Sequence, residues 1–552
     1  MAGLESTVAA TRVRWRFDPW SVGAILIALV VLAPIAAVIG FAFFPKDNIW
    51  PHLIATTLPR YVKNTLVLMG AVGLLTAMVG TGAAWIVARY SFRGARWMEW
   101  LLLLPLAVPG YVGAYALVDL LEYAGPVQTG LRGVFGWHSA QEYWFPEIRS
   151  MGAAIVVLSA SLYPYVYLLS RNAFREQSGA SEEVAMSLGT GAWGRFWRVG
   201  LPLARPAIAA GVAIVMMETV NDFGTVDFFA VQTLTMGIFS VWLESNNVGG
   251  AAQLASVVLA LVIVLVLLEK LSRRKVKFFS SARQHRPVTR TALSGWRAAV
   301  ALGLCLIPFC MGFVLPAGVI LSRALGHPEL WLHGDILSAL WNTVTVGGIA
   351  ALVTVLAGVF MVYGARISGR ALPKLLMPVT TIGYAAPGAV LAVGIFLPLA
   401  AIDHRVADLI EAVTGQDVGL VLTSTAFALV LAYTVRFFAI AQGAADAAMG
   451  RVSPSLPMAA RSLGRSQGRV LREVYYPLIR GSLGSALLLV FVDCVKELPA
   501  TMLLRPPFGF DTLATLTHEQ ASLENLTGAA PAATMIIAVG LLAVGLLARA
   551  NR

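Results

Sequence analysis

Two pairs of carboxylates stand inside otherwise apolar runs. Glu218 and Asp222 lie in MMETVNDFGTVDFF, starting at Met216, and Asp493 and Glu497 lie in FVDCVKELPATMLL, starting at Phe491. The stretches align at a constant step of 275 residues, so Glu218 matches Asp493 and Asp222 matches Glu497. Helical side chains four apart share a face, and each pair therefore offers two carboxylates to one side. A charged group at the bilayer centre costs about 2.5–3.5 kcal/mol on insertion scales. Such groups either line a cavity, where they can accompany a cation or relay a proton, or lie solvated where a span already ends. Lys496 adds a cation beside Glu497.

A second matched set is built for backbone geometry. Pro109-Gly110 in VPGYVGAYAL and Pro387-Gly388 in APGAVLAVGI interrupt corresponding apolar runs, with Tyr111, Tyr115 and Tyr384 close by. Paired interruptions mark a binding or gating region, although Pro and Gly are common in membrane helices generally. The seven histidines fall in predicted loops without metal-ligand spacing and read as solvated polar residues. Cys305, Cys310 and Cys494 sit in or beside apolar runs with no Cys-x-x-Cys, which makes them packing residues.

The elements that must hold these residues are membrane helices. Of 552 residues 58% are hydrophobic and 13% charged, too little polar surface for a soluble chain of this length. At about 20 apolar residues per span, twelve spans are predicted. The first six lie near 22–44, 65–88, 97–121, 151–170, 206–222 and 251–268, and the second six near 298–321, 343–364, 372–400, 418–440, 481–497 and 529–548. Arg12, Arg14 and Arg16 precede a first run too long for a cleaved signal, so it reads as a retained span. Most of the 41 lysines and arginines fall in the segments predicted inside, which places both termini in the cytoplasm. That location also turns the +12 net charge into a topology signal, arguing against a nucleic-acid partner.

The two sets of six repeat each other. KNTLVLMGAVGLLTAMVGTGAAWIVAR from Lys63 matches WNTVTVGGIAALVTVLAGVFMVYGAR from Trp341, each with Asn-Thr near its start and Arg at its end. Six spans per half make the repeats parallel, related by an axis along the membrane normal. The basic stretch 270–297 is the natural linker, giving halves of 1–285 and 286–552. The expected fold is an all-α polytopic membrane protein of about twelve helices in two parallel repeats.

One further repeat lies in water. EEVAMSLGTGAWGRFWRVGLPLARP (182–206) and MAARSLGRSQGRVLREVYYPLIRGSL (458–483) each precede the fifth span of their half. Glu183, Ala185, Gly189 and Pro202 in the first correspond to Met458, Ala460, Gly464 and Pro477 in the second, with Ala459 beside Ala460. Val184 and Leu188, like Ala459 and Leu463, give each short helix an apolar stripe. The glycines supply a stop where positive φ is tolerated, and the prolines lead into the next span at its first turn. A generic interfacial linker needs no fixed register, so the shared spacing implies a short helix that offers its face to a cytoplasmic partner.

Glu-x-Ala-x-x-x-Gly, followed after nine residues by Val-x-Leu-Pro, resembles the EAA loop of ABC importer permeases. The resemblance covers essentially the whole chain and implies the type I importer fold, with two such loops, near 181–202 and 456–477, on one fused chain. It implies that Glu183, Ala185, Gly189, Ala459, Ala460 and Gly464 couple the chain to two cytoplasmic ABC ATPase subunits. It also implies a periplasmic substrate-binding protein and placement in a bacterial inner membrane. The second loop departs from the pattern, with Met458 for Glu and Tyr475-Tyr476-Pro477 for x-Leu-Pro, which puts one charge contact in question. No Gly-Lys dipeptide occurs, so the chain has no Walker A loop. It is expected to bind no cofactor and to be no enzyme itself, with ATP and Mg carried by the ATPase subunits.

NDFGTVDFF and KELPATMLLRPPFGFDTLAT are similar to segments of ferric-iron importer permeases. The resemblance implies Fe3+ as cargo, a hard cation suited to a path lined by Glu218, Asp222, Asp493 and Glu497, with Pro109, Gly110, Pro387 and Gly388 as the candidate gate read above. Permeases for thiamine, polyamine, sulfate or phosphonate share much of this frame. A proton-driven secondary transporter of two six-helix halves is the alternative of another class. It gives no reason for the duplicated cytoplasmic element.

Overall fold

In the computed structural model the chain is described over residues 19–45, 48–177, 179–273, 290–367, 371–381, 383, 386–416, 419–507 and 509–550. Arg12, Arg14, Arg16, Tyr384 and most of the basic linker lie outside the described residues. Among the described residues, eleven helices are long and apolar enough to span a bilayer, and a bent pair brings the count to twelve. In chain order the unbroken spans are Pro19–Phe43, Leu58–Arg89, Met151–Glu176, Ala192–Asn221, Val248–Glu269, Gly295–Gly326, Gly334–Arg366, Gly388–Thr414, Phe427–Gly450, Gln467–Val495 and Leu526–Leu546. The bent pair, Ala95–Ala107 with Gly110–Phe135, turns through 92° and is the third span.

The single helices expected at 97–121 and 372–400 are therefore each two pieces. Val108 is extended and Pro109 sits at the N-cap (φ −58°, ψ 145°), so the helix restarts at Gly110. In the second half, Ala371–Thr380 ends before Pro387 (φ −57°, ψ 150°) starts the ninth span at Gly388. In the first break the residue before the proline is driven out of helical geometry, and in both proline, lacking an N–H, suits the helix start.

Proline also shapes the helices it does not break. The π-helical stretches Phe196–Gly200, Cys310–Val314 and Leu471–Tyr475 each end two residues before a proline, at Pro202, Pro316 and Pro477. A proline ring presses on the carbonyl four residues back, and a widened π turn moves that carbonyl aside.

Close packing relies on small residues, as membrane helices require. A Cβ on Gly80 of the second span would meet the backbone of Tyr163 and Tyr167 at 2.9 Å in the fourth. Gly358 of the eighth span lies equally close to the backbone of Ala441 and Gln442 in the tenth. The first span of each half crosses to the other half. The helix Pro19–Phe43 packs on the eighth and ninth spans, with Trp20 against Phe360 and Tyr363 at 4.8 and 4.9 Å between ring centroids. The seventh span packs in return on the first half, Gly312 lying against Pro105 and the Ala160 carbonyl.

After the fifth and eleventh spans the chain does not leave the bundle at once. It forms pairs of short helices, Gly224–Phe228 with Leu234–Phe239 and Pro499–Leu504 with Leu513–Ser522. The repeated Asn-Thr dipeptides hold them. Asn64 Nδ2 donates to the Gln232 carbonyl (2.9 Å) and Thr65 Oγ1 accepts from Leu234 N (3.0 Å). In the second half Asn342 Nδ2 donates to the Asp511 carbonyl (3.0 Å) and Thr343 Oγ1 accepts from Leu513 N (2.8 Å). Leaving one such carbonyl without its donor costs about 1–3 kcal/mol. Asn342→Ala is expected to lower the Tm of the purified protein, and an unchanged Tm would show the bond to be dispensable.

Candidate functional site

The short helices begin at the acids. Asp222 accepts from Thr225 N (3.0 Å), Val226 N (3.2 Å) and Thr225 Oγ1 (2.9 Å), capping Gly224–Phe228. Glu497 does the same for Pro499–Leu504, accepting from Ala500 N, Thr501 N (both 3.1 Å) and Thr501 Oγ1 (2.9 Å). A capping acid satisfies the N–H groups that a helix start leaves bare and meets the positive end of its dipole.

All four predicted acids border one cavity of about 160 Å³ between the halves, together with Pro109 and Gly110. Such a space holds several waters. Pro387 borders a smaller adjoining cavity that shares Glu218, Asn221 and Arg436 with the first. Gly110 lies against Thr225 and Asp222, and Gly388 against Glu497, so each Pro-Gly break rests on the capping acid of its own half. A Cβ at Gly388 would collide with the Glu497 carboxylate and the Arg436 guanidinium, which makes glycine the residue that fits. The level is deep. A Cβ on Gly73, midway along the 32-residue second span, would lie 3.2 Å from Met216, two residues before Glu218.

The acids differ in what they bond. Asp493 pairs with Lys496 (2.9 Å), and Glu497, its side chain 2% exposed, pairs with Arg436 (3.2 Å). Glu218 makes no hydrogen bond or ion pair among the described residues. The Tyr111 hydroxyl, also at this cavity, is buried without a partner. No cluster of three or more His, Cys, Asp or Glu near enough to hold a metal occurs among the described residues.

Two functional groups escape the sequence reading. Arg436 sits inside the tenth span, where one charge in a long apolar run carries no repeat signal; at the matching position the first half has Ser161. His518 is no solvated loop residue. It is 4% exposed, within Leu513–Ser522, with Nδ1 2.7 Å from the Tyr115 hydroxyl and Nε2 3.3 Å from Asp227 of the other half. Of the cysteines, Cys305 and Cys494 are buried and Cys310 is exposed.

The two short-helix repeats match in their bonding. In the helix Gly179–Ser187, Gly189 (φ 74°) donates to the Met186 carbonyl and Thr190 to the Ala185 carbonyl. In Ser455–Ser462, Gly464 (φ 78°) donates to Arg461 and Arg465 to Ala460. Both are Schellman stops, in which a left-handed residue lets two N–H groups reach back to the last turn. Ala185 is buried and Ala460 half-buried, while Glu183 and Ala459 face outward. Val184, Met186, Leu188 and Trp193 of one copy and Leu456, Met458 and Leu463 of the other leave apolar side chains uncovered.

Behind each repeat an aromatic residue of a neighbouring span braces the π turn. Trp85 meets Phe196 edge-on at 5.2 Å, and Tyr363 meets Tyr475 at 5.7 Å. In the second half the first span adds Trp20, whose Nε1 donates to Gln467 Oε1 at 2.7 Å.

A membrane bundle of two matching halves, with a short-helix repeat ahead of the fifth and eleventh spans and a polar cavity between the halves, has the fold of the permease of a type I ABC importer. Residues 80–278 and 354–552 each match the family of binding-protein-dependent transport system inner membrane components, and the chain belongs to that family. It is 25% identical over 490 residues to the Fe(3+)-transport system permease protein FbpB 2 of Haemophilus influenzae, covering 88% of each chain. It is 22% identical to the ferric transport system permease protein FbpB of Actinobacillus pleuropneumoniae, over 88% of this chain and 72% of that one. The sulfate transport system permease protein CysT of Escherichia coli is 27% identical over 44% of this chain and 86% of its own. Membership settles the class against a proton-driven secondary transporter.

Proposed function

We propose that this permease carries ferric iron from a periplasmic binding protein into the cytoplasm. The observation that carries this reading is the convergence of four carboxylates, two from each half, on one cavity between the halves. Oxygen donors suit a hard, highly charged cation. Relatives spanning most of this chain are named for Fe(3+) transport. A sulfate ion would face repulsion from every carboxylate in the cavity, which disfavours the cargo of the half-length relatives.

The two cytoplasmic helices are the docking sites for two ATPase subunits, which hold the ATP and Mg. Their uncovered apolar faces support this role. Closure of the ATPases moves both helices, and the π turns pass that motion into the fifth and eleventh spans, whose far ends carry the acids. Glu183 makes a charged contact on one side only, since Met458 takes its place on the other. Both termini lie in the cytoplasm. The helix starts at Gly110 and Gly388 form the gate beside the acids.

The test is uptake of radiolabelled iron(III) by cells lacking other iron importers that express this permease with its ATPase and binding protein. ATP-dependent uptake insensitive to sulfate, thiamine and spermidine is expected. ATP-dependent uptake of one of those competitors without iron would replace the cargo.

A further inference from the structure

The cavity is twofold in its acids but not in its cations. Arg436 and Lys496 both come from the second half, and at the matching positions the first half has the neutral Ser161 and Asn221. Arg436 is the more deeply committed of the two. It stands within an apolar helix with its side chain 12% exposed, a placement that membrane helices accept only when the charge has partners. Those partners span both halves. Nη1 lies 3.2 Å from Glu497 Oε1 and donates to Asn221 Oδ1 at 3.1 Å, and Asn221 Oδ1 also accepts from Gly388 N at 2.8 Å. Arg436, Asn221 and Glu218 together border both the main cavity and the smaller one. The guanidinium therefore occupies the carboxylate site at the point where the two spaces meet.

Resting on the reading of this cavity as a cation path, we propose that Arg436 is a tethered stand-in for the cargo, filling the carboxylate site until an incoming ion displaces it. The formal charges fit the exchange. With Arg436 in place the site carries four carboxylates against two cations. With the guanidinium withdrawn, Lys496 alone opposes the four, and three negative charges remain for a trivalent ion. A divalent ion gains less from the same site and competes poorly with an arginine already seated there. In the same seated position its guanidinium lies 5.6 Å from the neighbouring Phe437 ring, the face to which such a cation is attracted. Arg436 is thus a selectivity residue that sets the charge an ion needs in order to enter.

The experiment measures manganese(II) inhibition of ATP-driven iron(III) uptake in vesicles holding the complete system. Binding of radiolabelled Mn2+ to purified permease is measured alongside and needs no transport. Arg436→Gln is expected to raise sensitivity to Mn2+ about tenfold, whereas Arg436→Lys keeps the charge and the resistance. Gly388→Ala leaves the arginine in the chain but puts a methyl group where the guanidinium sits, and is expected to shift Mn2+ binding in the direction of Arg436→Gln. Unchanged Mn2+ binding and inhibition in both Arg436→Gln and Gly388→Ala would overturn the proposal, as would equal sensitisation by Arg436→Lys. Absence of iron uptake in the unmodified system would instead overturn the cargo assignment, a result that Mn2+ binding to the variants distinguishes from a failed stand-in.

Discussion

Glu218→Gln should abolish most iron uptake while leaving the protein as stable as before. The carboxylate borders the cavity, yet among the described residues it bonds to nothing, so the fold loses little when its charge is removed. The transport step loses one of four charges that face the ion. We expect uptake to fall about tenfold or more, equivalent to roughly 1.4 kcal/mol or above on the limiting step. Asp222→Asn and Glu497→Gln are the contrast. Each weakens a helix cap, at a cost of about 0.5–2 kcal/mol, and Glu497→Gln also strips Arg436 of its counter-charge, so both should lower Tm as well as uptake. Parallel measurement of Tm and uptake decides the matter. A large fall in Tm for Glu218→Gln, or full uptake with an unchanged Tm, would remove Glu218 from the path.

The second large effect lies at the opposite end of the same helices. Gly189 and Gly464 hold φ of 74° and 78°, and a Cβ added at either would meet no atom within 4 Å. Substitution there strains the backbone without crowding a neighbour. A left-handed conformation costs most residues about 1–2 kcal/mol, and β-branched ones more. The double variant Gly189→Val, Gly464→Val should unwind both Schellman stops, re-aim the short helices and reduce uptake to background with the bundle intact. Asn tolerates the left-handed region, so Gly189→Asn with Gly464→Asn should keep most of the uptake. If the valine pair transports normally, the fixed stop is not what couples the two motions; if the asparagine pair fails as completely, backbone conformation is not the reason.

The acids, the Pro-Gly breaks and the paired Schellman stops were legible because each occurs twice at nearly constant spacing. Their shared register in the chain reflects a shared place in the fold. The Asn-Thr dipeptides were visible as a repeat, but their task was not, because it depends on loops 168 to 170 residues away. Arg436 was hidden for the opposite reason: it is unique to one half, and repetition says nothing about a singular residue. The short helices after the fifth and eleventh spans, five to ten residues each, are too brief to show a helical period. His518 followed from them, since a histidine in a segment taken for a loop reads as solvated until that segment is seen to turn back between the halves.

The crossed first spans bear on how the protein is made. The helix Pro19–Phe43 leaves the ribosome well before the eighth and ninth spans, to which much of its packing surface belongs. Domains generally form in order of synthesis, and here that order is frustrated. That helix waits in the lipid while the spans between it and the eighth are inserted, and the first half reaches its final packing only after the second is in place. Joining the halves in one polypeptide keeps the waiting helix beside the surface it needs. Split into two separately made pieces, the same sequence would have to find that surface by diffusion in the membrane, and its yield would depend on how much of each piece the cell makes.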